Sequence, residues 1–390
     1  MPFAAALSNR PNLISAIEET THSIKSALHG ATPDLTIVFV SHHFSTRFGE
    51  LAESLQGALQ TRVLLGCTAE AVIGGARECE DEPALSVWCA VLLGATLTTF
   101  ELTFEETPDG MLCSGLPDDL GETRNETRAV LVLGEPFTSL PQSILELLGD
   151  ELPGVPVVGG MASGGGPGEN RLFFNGRMIE SGAIGVVLRG GPHIRTIVSQ
   201  GCRPIGTPFV VTRAERNVIY ELGGVPPLQR LQSLYPELPP RDQRLVETGV
   251  HLGVAMNEYQ DHFQRGDFLI VNVHGADRHT GALATGGLMR VGQTVQFHIR
   301  DAETADEDLC HLLDRHQKAS ISHERAALLF TCNGRGTRMF PEPNHDASAV
   351  QQHLGPLPLA GLFAQGELGP VGDKNYIHGF TASIALFEEN

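Results

Sequence analysis

The chain has 390 residues, of which 41% are hydrophobic, and a formal net charge of −19. This composition is typical of a soluble globular protein with room for two or three domains. The acidic balance, without any basic cluster, disfavours nucleic acid as a partner, because phosphate binding requires concentrated positive charge. No run approaches the roughly 18 apolar residues of a membrane span, so no membrane partner is expected.

The seven cysteines indicate a reducing compartment. None belongs to a Cys-x-x-Cys pair, and most lie in apolar surroundings, so we interpret them as free buried thiols of a cytoplasmic protein. The sixteen histidines are scattered, and none stands at ligand spacing from a cysteine. The pair His42-His43 is interpreted as part of a solvated loop. The sequence therefore predicts no metal site and no cofactor.

Hydrophobic periodicity predicts a helix within residues 1–29 and then a strand–helix–strand unit. Residues 35–40 form a β-branched apolar run, 48–59 repeat apolar residues at helical spacing, and 63–66 are again apolar. Such a unit is expected to pair its two strands in parallel through a right-handed crossover.

The same pattern recurs twice, which predicts an internal repeat. In every copy the second strand reaches a glycine that is followed by two variable residues, an alanine and a polar residue. The strand, helix and strand are predicted at 129–133, 140–148 and 155–159 in the second copy, and at 327–331, 348–354 and 358–361 in the third.

Residues 200–326 lie between the second and third copies and contain further strands and helices. We place a domain boundary near residue 200 and expect an N-terminal helix (1–29), an N-terminal domain (30–200) and a C-terminal domain (201–390). The expected fold is α/β, with mixed β-sheets covered by helices and with strand–helix–strand repeats. A stacked α-β-β-α body is the specific prediction; separate three-layer units are the alternative.

The loop after the third copy's first strand is a candidate ligand site. Ligands gather at the carboxyl ends of strands in open α/β sheets, and Cys332, Asn333 and Arg335 follow such a strand. The Arg335 guanidinium suits a carboxylate. The alternative is that Cys332 is a small core residue and that Arg335 pairs with a nearby acid.

A second group of polar residues is predicted to approach this loop. Gln365 and Glu367 follow the neighbouring strand, so an Arg/Glu/Gln cluster could bind an amino acid or another small zwitterion. An internal Arg335–Glu367 salt bridge without a ligand is the alternative. Cys67 and Thr68 hold the equivalent place in the first copy, where they either bind ligand or only pack.

Other candidate sites are weaker. Arg203, in a Cys-Arg-Pro-Ile-Gly turn, either adds positive charge to the site or is a solvated or paired turn residue. The glycine-rich stretch 159–168 is interrupted by Pro167 and precedes a strand, which argues against a phosphate loop. No Gly-x-Ser-x-Gly elbow occurs. No catalytic residue is assigned, although an enzyme with Cys332 as nucleophile is kept as an alternative.

Several of these stretches resemble the FIST family. They are Leu-Gly-Cys-Thr-Ala-Glu at 65–70, Arg-Pro-Ile-Gly at 203–206, Phe-Thr-Cys-Asn-Gly-Arg at 330–335 and Phe-Ala-Gln-Gly-Glu at 363–367. The family's paired N- and C-terminal modules occur in bacterial signalling proteins and in eukaryotic F-box proteins. The chain departs from the family pattern at Cys67, where Ser is usual, and at 164–166, where Gly-Gly-Gly replaces an expected acidic residue.

The resemblance implies a sensory domain for small ligands without established catalytic activity. We therefore expect a non-catalytic signal-transduction protein that binds an amino acid or other small carboxylate and acts on an unidentified signalling protein. The alternatives are the Cys332 enzyme and a protein-interaction scaffold without a small ligand.

Overall fold

The computed structural model describes residues 2–108, 110–260, 263, 266–319 and 324–388. The chain divides into two compact units. Unit 1 consists of Met1–Ser199 and Leu309–Asn390, and unit 2 of Gln200–Asp308. This partition differs from the expected one at 30–200 and 201–390, because the third strand–helix–strand copy belongs with the first two.

The helices predicted within residues 1–29 and at 48–59, 140–148 and 348–354 are present. The described helices are α1 (Leu13–Ala27), α2 (Phe48–Leu59), α3 (Pro141–Glu151), α4 (Pro227–Leu234), α5 (Pro240–Thr248), α6 (Ala302–Ala319) and α7 (His345–Leu354). The Asn12 side chain accepts hydrogen bonds from the amides of Ile14 and Ser15, which explains where α1 begins. Within the described residues, no helix has the length and apolar character that crossing a membrane requires.

Within the described residues, the strands of unit 1 form three sheets. They are β1 (Phe3–Ser8), β2 (Leu35–Ser41), β3 (Val63–Ala69), β4 (Val72–Gly74), β5 (Arg77–Cys79), β6 (Leu85–Ala90), β7 (Ala95–Thr107), β8 (Gly110–Ser114), β9 (Thr127–Gly134), β10 (Val157–Met161), β11 (Leu172–Phe174), β12 (Arg177–Ile179), β13 (Ala183–Gly190) and β14 (His193–Ser199). The strands of unit 2 are β15 (Arg203–Glu215), β16 (Val218–Leu222), β17 (His251–Ala255), β18 (Phe268–Ala276), β19 (Leu283–Thr285) and β20 (Thr294–Ile299). Unit 1 is completed by β21 (Glu324–Cys332), β22 (Leu359–Ala364), β23 (Glu367–Val371), β24 (Lys374–His378) and β25 (Ala382–Glu388).

The three predicted strand–helix–strand copies are present, and each builds the centre of one sheet. Their parallel pairs are β2–β3, β9–β10 and β21–β22. Sheet 1 has the order β1-β6-β2-β3-β11-β12, sheet 2 the order β24-β23-β10-β9-β13-β7-β8, and sheet 3 the order β14-β25-β21-β22-β4-β5.

The copies exchange hairpins in a cycle. The first copy's hairpin, β4–β5, pairs with β22 of the third copy. The second copy's hairpin, β11–β12, pairs with β3 of the first, and the third copy's β23–β24 pairs with β10 of the second. Every sheet of unit 1 is therefore completed by a hairpin from a different copy.

All three sheets share one core. Phe39 of sheet 1, Leu131 of sheet 2 and Phe330 of sheet 3 belong to the same buried cluster, and the rings of Phe39 and Phe330 meet edge to face at 6.1 Å. Helices α1 and α2 cover the outer face of sheet 1, α3 that of sheet 2, and α7 that of sheet 3. The α/β class with helix-covered mixed sheets is confirmed. Each of the three copies forms a sheet of its own around this core.

The repeated glycine has a steric cause. A Cβ atom at this position would strike the carbonyl group of the facing residue on the copy's first strand. At Gly159, where φ is +141°, the added Cβ would lie 1.8 Å from the Val132 oxygen. The glycines are Gly66, Gly159 and Gly361, which face Val38, Val132 and Leu329. The motif thus marks a close approach of two backbones.

Unit 2 contains a closed barrel with the strand order β15-β16-β19-β18-β17-β20. Its interior is filled by apolar side chains, among them Val211, Leu252, Val295 and Phe297, all of which are fully buried. The further strands expected within residues 200–326 are present. The barrel interior is therefore a packed core.

Candidate functional site

The second strands of the three copies converge at their carboxyl ends. The Ser163 amide, after β10, donates to the Thr68 carbonyl at 3.1 Å. The Ser163 hydroxyl accepts the Glu70 amide at 2.8 Å and donates to the Phe363 carbonyl of β22. One buried serine thus joins the strand ends of all three copies.

The polar residues that surround this junction form what we name the strand-end cluster: Glu70, Ser163, Asn333, Gln365 and Arg338. The Asn333 amide donates to the Ala364 carbonyl at 3.0 Å, and Gln365 is exposed. Arg338 donates through Nη1 to the Asn333 carbonyl at 2.7 Å and through Nη2 to Glu70 Oε1. An exposed ion pair therefore spans the loops of the first and third copies.

A cavity of about 280 Å³ adjoins the cluster and is lined by His42, His43, Glu70, Asp81 and Gly164. Its lining combines two carboxylates with two imidazoles, which is a set of groups suited to a small polar ligand. Within the part of the chain that the structure describes, no group of three or more His, Cys, Asp and Glu side chains is placed to hold a metal ion.

Arg335 is fully buried and its partner is Asp346. The Nε and Nη2 groups donate to the two Asp346 oxygens, each at 2.7 Å, and Nη1 donates to the Phe380 carbonyl at 3.3 Å. The guanidinium also lies over the Phe340 ring, 5.1 Å from its centre. Of the two predicted roles for Arg335, the structure therefore shows pairing with a nearby acid, which is Asp346 of α7.

Asp346 is the anionic centre of this buried network. It also accepts the Thr331 hydroxyl at 2.5 Å and lies 2.9 Å from His345 Nδ1. Burial alone would raise the pKa of Asp346, but the charge and hydrogen bonds of Arg335 outweigh burial and hold that pKa below its usual range. The aspartate is therefore ionised and holds the loop after β21 against the start of α7.

Gln365 and Glu367 have different surroundings, although only one residue separates them. Glu367 is fully buried on β23, where its Oε2 accepts the Thr381 amide at 3.0 Å. Gln365 is exposed at the strand end, and its amide donates to the Met161 carbonyl at 3.2 Å. Of the two, Gln365 is the residue that the strand-end cluster presents to solvent.

The predicted cysteines and Thr68 lie below the surface. Cys332 is 6% exposed, and its sulfur accepts the Gly334 amide at 3.5 Å. Cys67 is fully buried, and burial raises the pKa of its thiol. Thr68 is also fully buried and accepts the Arg171 amide at 3.1 Å. These residues support the strand ends from within.

Arg203 belongs to the barrel of unit 2. Its guanidinium donates to both oxygens of Asp242, which lies on α5. Arg203 is therefore a paired residue of unit 2, and its partner lies outside the turn that carries it.

Arg338, Ser163 and Asp81 are not among the site residues predicted from the sequence. Arg338 stands three residues after Arg335, and the sequence alone does not show which of the two arginines is exposed. Ser163 stands at the polar position of the second copy's glycine motif, so the repeat already contained its signal. Asp81 follows the exchanged hairpin β4–β5, and local periodicity does not show which strand this hairpin pairs with.

Comparison with known proteins identifies two adjoining family regions. The FIST N domain matches residues 34–225, and the FIST C domain matches residues 227–370. FIST domains are generally associated with signal transduction and small-ligand sensing.

Two mycobacterial relatives align over almost the whole chain, and an archaeal one aligns over part of it. An uncharacterized protein of Mycobacterium tuberculosis, strain H37Rv, is 41% identical over 388 residues, which are 99% of this chain and 100% of the relative. One of Mycobacterium bovis is 39% identical over 391 residues, 100% of both chains. An uncharacterized protein of Methanocaldococcus jannaschii is 27% identical over 161 residues, 41% of this chain and 30% of the relative. With both family regions in order and matched over most of its length, this chain belongs to the FIST family.

Proposed function

We propose that this protein is a non-catalytic sensor that binds a small zwitterion, such as an amino acid, at the strand-end cluster. The observation that carries the proposal is the exposed Arg338–Glu70 ion pair beside the cavity of about 280 Å³. A signalling protein would then recognise the ligand-bound form, in keeping with the association of FIST domains with signal transduction.

The ion pair offers complementary charges to a zwitterion. The planar guanidinium of Arg338 suits a carboxylate, and the carboxylates of Glu70 and Asp81 suit an ammonium group. The Arg338 side chain is 58% exposed and that of Glu70 is 30% exposed. Because exposed ion pairs contribute little to stability, a ligand can replace each partner of the pair at small cost.

The backbone around the cluster is held in place before any ligand arrives. Ser163 bridges the strand ends of all three copies, and the Asn333 amide is bonded to Ala364. A preorganised site loses less conformational entropy on binding, which raises affinity. Loops from different copies meet here. A ligand bound between them therefore replaces the contacts that join these loops, and a partner protein can recognise the change.

A thermal-shift screen followed by titration calorimetry tests the proposal. The panel contains the twenty amino acids and small mono- and dicarboxylates at pH 7. A true ligand raises the melting temperature, since binding at 100 times Kd stabilises the native state by about 2.7 kcal/mol. We expect Arg338→Ala to weaken binding at least tenfold.

The matched control is Arg10→Ala, which removes another exposed arginine, paired with Glu19 at 3.3 Å. This variant is expected to bind as the unchanged protein does. The sensor proposal would be refuted if no compound of the panel bound the protein. It would also be refuted if a compound bound the unchanged protein and Arg338→Ala with the same affinity.

A further inference from the structure

Glu78 is a buried carboxyl group with one unsatisfied oxygen. It lies on β5, within the hairpin that the first copy contributes to sheet 3, and is 7% exposed. Its Oε1 accepts the Ala347 amide of α7 at 2.9 Å, and its own amide donates to Asn344 Oδ1 at 2.7 Å. Within the described residues, Oε2 is buried and has no hydrogen-bond partner. A buried carboxylate oxygen without a donor is costly, whereas a protonated one is much less so.

The charged groups around Glu78 do not compensate a negative charge on its own carboxyl group. Asp346 faces it from α7, where His345 contacts Asp346, and Arg335 faces it from the loop after β21. Arg77 is its neighbour on β5, and Glu80 follows that strand. Arg335 gives two hydrogen bonds to Asp346, so the nearest buried cation is already matched. Arg77 is exposed and pairs with Glu82 at 3.5 Å. Burial, and then the charge of Asp346, raise the pKa of Glu78 to about 8.

The same hairpin reaches the strand-end cluster. Two residues after Glu78, the Glu80 carboxylate accepts the Thr337 amide at 3.1 Å and the Thr337 hydroxyl at 2.8 Å. Arg338 is the next residue along that turn, and Asp81 lines the cavity. Residues 78–81 therefore connect the start of α7, the turn that carries Arg338 and the wall of the cavity.

We propose that the carboxyl group of Glu78 is a proton switch for the strand-end cluster. With its proton in place, Glu78 fastens the hairpin to α7, and Glu80 then holds the 336–338 turn. When the proton is released to solvent, a second buried negative charge appears beside Asp346. The repulsion between them loosens the hairpin and the turn together. This inference rests on the proposed function in one respect, since the residues under control are those of the proposed ligand site.

Hydrogen exchange followed by mass spectrometry tests the switch without a ligand. Exchange is measured at pH 6.5 and pH 8.5 and corrected for the intrinsic rate at each pH. In the unchanged protein, we expect protection of the peptides that contain Thr337 and Ala347 to fall at least fivefold at the higher pH. Glu78→Gln, a neutral isostere, should keep its protection at both values.

Glu82→Gln is the matched control, because it removes a partly exposed carboxylate from the region just after the same hairpin. It should lose protection as the unchanged protein does. Constant protection in the unchanged protein would overturn the switch, whether or not Glu78→Gln folds. A pH-dependent loss that persists in Glu78→Gln would also overturn it. Neither of these results would affect the outcome of the ligand screen at pH 7. Equally, a screen that finds no ligand would not affect the hydrogen-exchange result.

Discussion

Arg335 and Asp346 are joined at two points, Nε to Oδ2 and Nη2 to Oδ1, each at 2.7 Å, and both side chains are essentially unexposed. The contact ties the loop after β21 to the first turn of α7. A buried pair of this kind has lost its hydration, so each ion depends on the other for compensation. A buried ion pair thus anchors the loop that carries Asn333 and Arg338 to the protein interior.

Arg335→Ala is expected to lower the free energy of unfolding by about 3–5 kcal/mol, because it leaves the Asp346 carboxylate buried without its counter-ion. Urea unfolding at pH 7 measures the effect. Arg47→Ala breaks an exposed ion pair, that with Glu50 at 2.6 Å, and should leave the midpoint nearly unchanged. The double variant Arg335→Met, Asp346→Leu should recover most of the loss. Equal effects of Arg335→Ala and Arg47→Ala would contradict this assignment.

Glu78 should make stability depend on pH in a defined window. Its folded pKa, about 8, lies above the ordinary value of 4.5, so the folded state holds a proton that the unfolded state releases. The resulting stabilisation is complete below about pH 4.5. It is lost as the pH rises towards 8 and is absent above that value.

Glu78→Gln keeps a neutral side chain at every pH and should remove this dependence. Since one pKa unit corresponds to about 1.4 kcal/mol, the variant should exceed the unchanged protein by roughly 3–5 kcal/mol at pH 9 and match it near pH 4.5. Denaturant midpoints across this range measure the difference. A gap that stays constant with pH would show that Glu78 does not titrate as the structure indicates.

Gly361→Ala tests the close approach of backbones in the third copy. The added Cβ would lie 1.9 Å from the Leu329 oxygen, which is part of a hydrogen-bonded strand and cannot easily move. We expect a loss of about 3 kcal/mol or more in unfolding free energy. Gly57→Ala is the control, because Gly57 is an exposed residue of α2 with open space around it, and this change should stabilise by about 0.5–1 kcal/mol. If both substitutions changed the free energy of unfolding in the same direction, the steric explanation would be refuted.

Cys332 should react slowly with iodoacetamide at pH 7, because only 6% of the residue is exposed. Labelling of the native protein, followed by peptide mapping, should proceed at less than about one tenth of the rate in urea. Cys67 is completely buried and should be unreactive in the native protein. Rapid native labelling of Cys332 that disappears in Arg335→Ala would instead indicate an activated thiolate and favour the enzyme alternative.

Local patterns were sufficient to predict the elements of the three copies. The helix at 48–59 has the predicted bounds, and the Asn175-Gly176 turn has the positive φ angles, 45° and 80°, that its hairpin requires. The repeated glycines and the strand ends that follow them were also found from the sequence. These features depend on residues close together in the chain, where periodicity and turn preferences act.

The remaining features depend on pairing between distant segments. Nothing in the sequence around β4 indicates that it joins β22, and that pairing brings Glu78, Glu80 and Asp81 to the site. The partner of Arg335 was missed for a similar reason: Asp346 is correctly placed only because α7 begins where it does. Local hydrophobicity cannot distinguish an arginine that is buried with an aspartate from one that is exposed three residues later.

The cyclic exchange of hairpins has a consequence for how the chain is made. Strand β10 emerges early from the ribosome, but its neighbour β23 is synthesised only after the entire barrel. Until then, one side of β10 presents an unpaired backbone edge, which other chains can recognise and add to. The nascent protein is therefore most prone to aggregation while unit 2 is being translated, and a chaperone that protects strand edges would raise its yield.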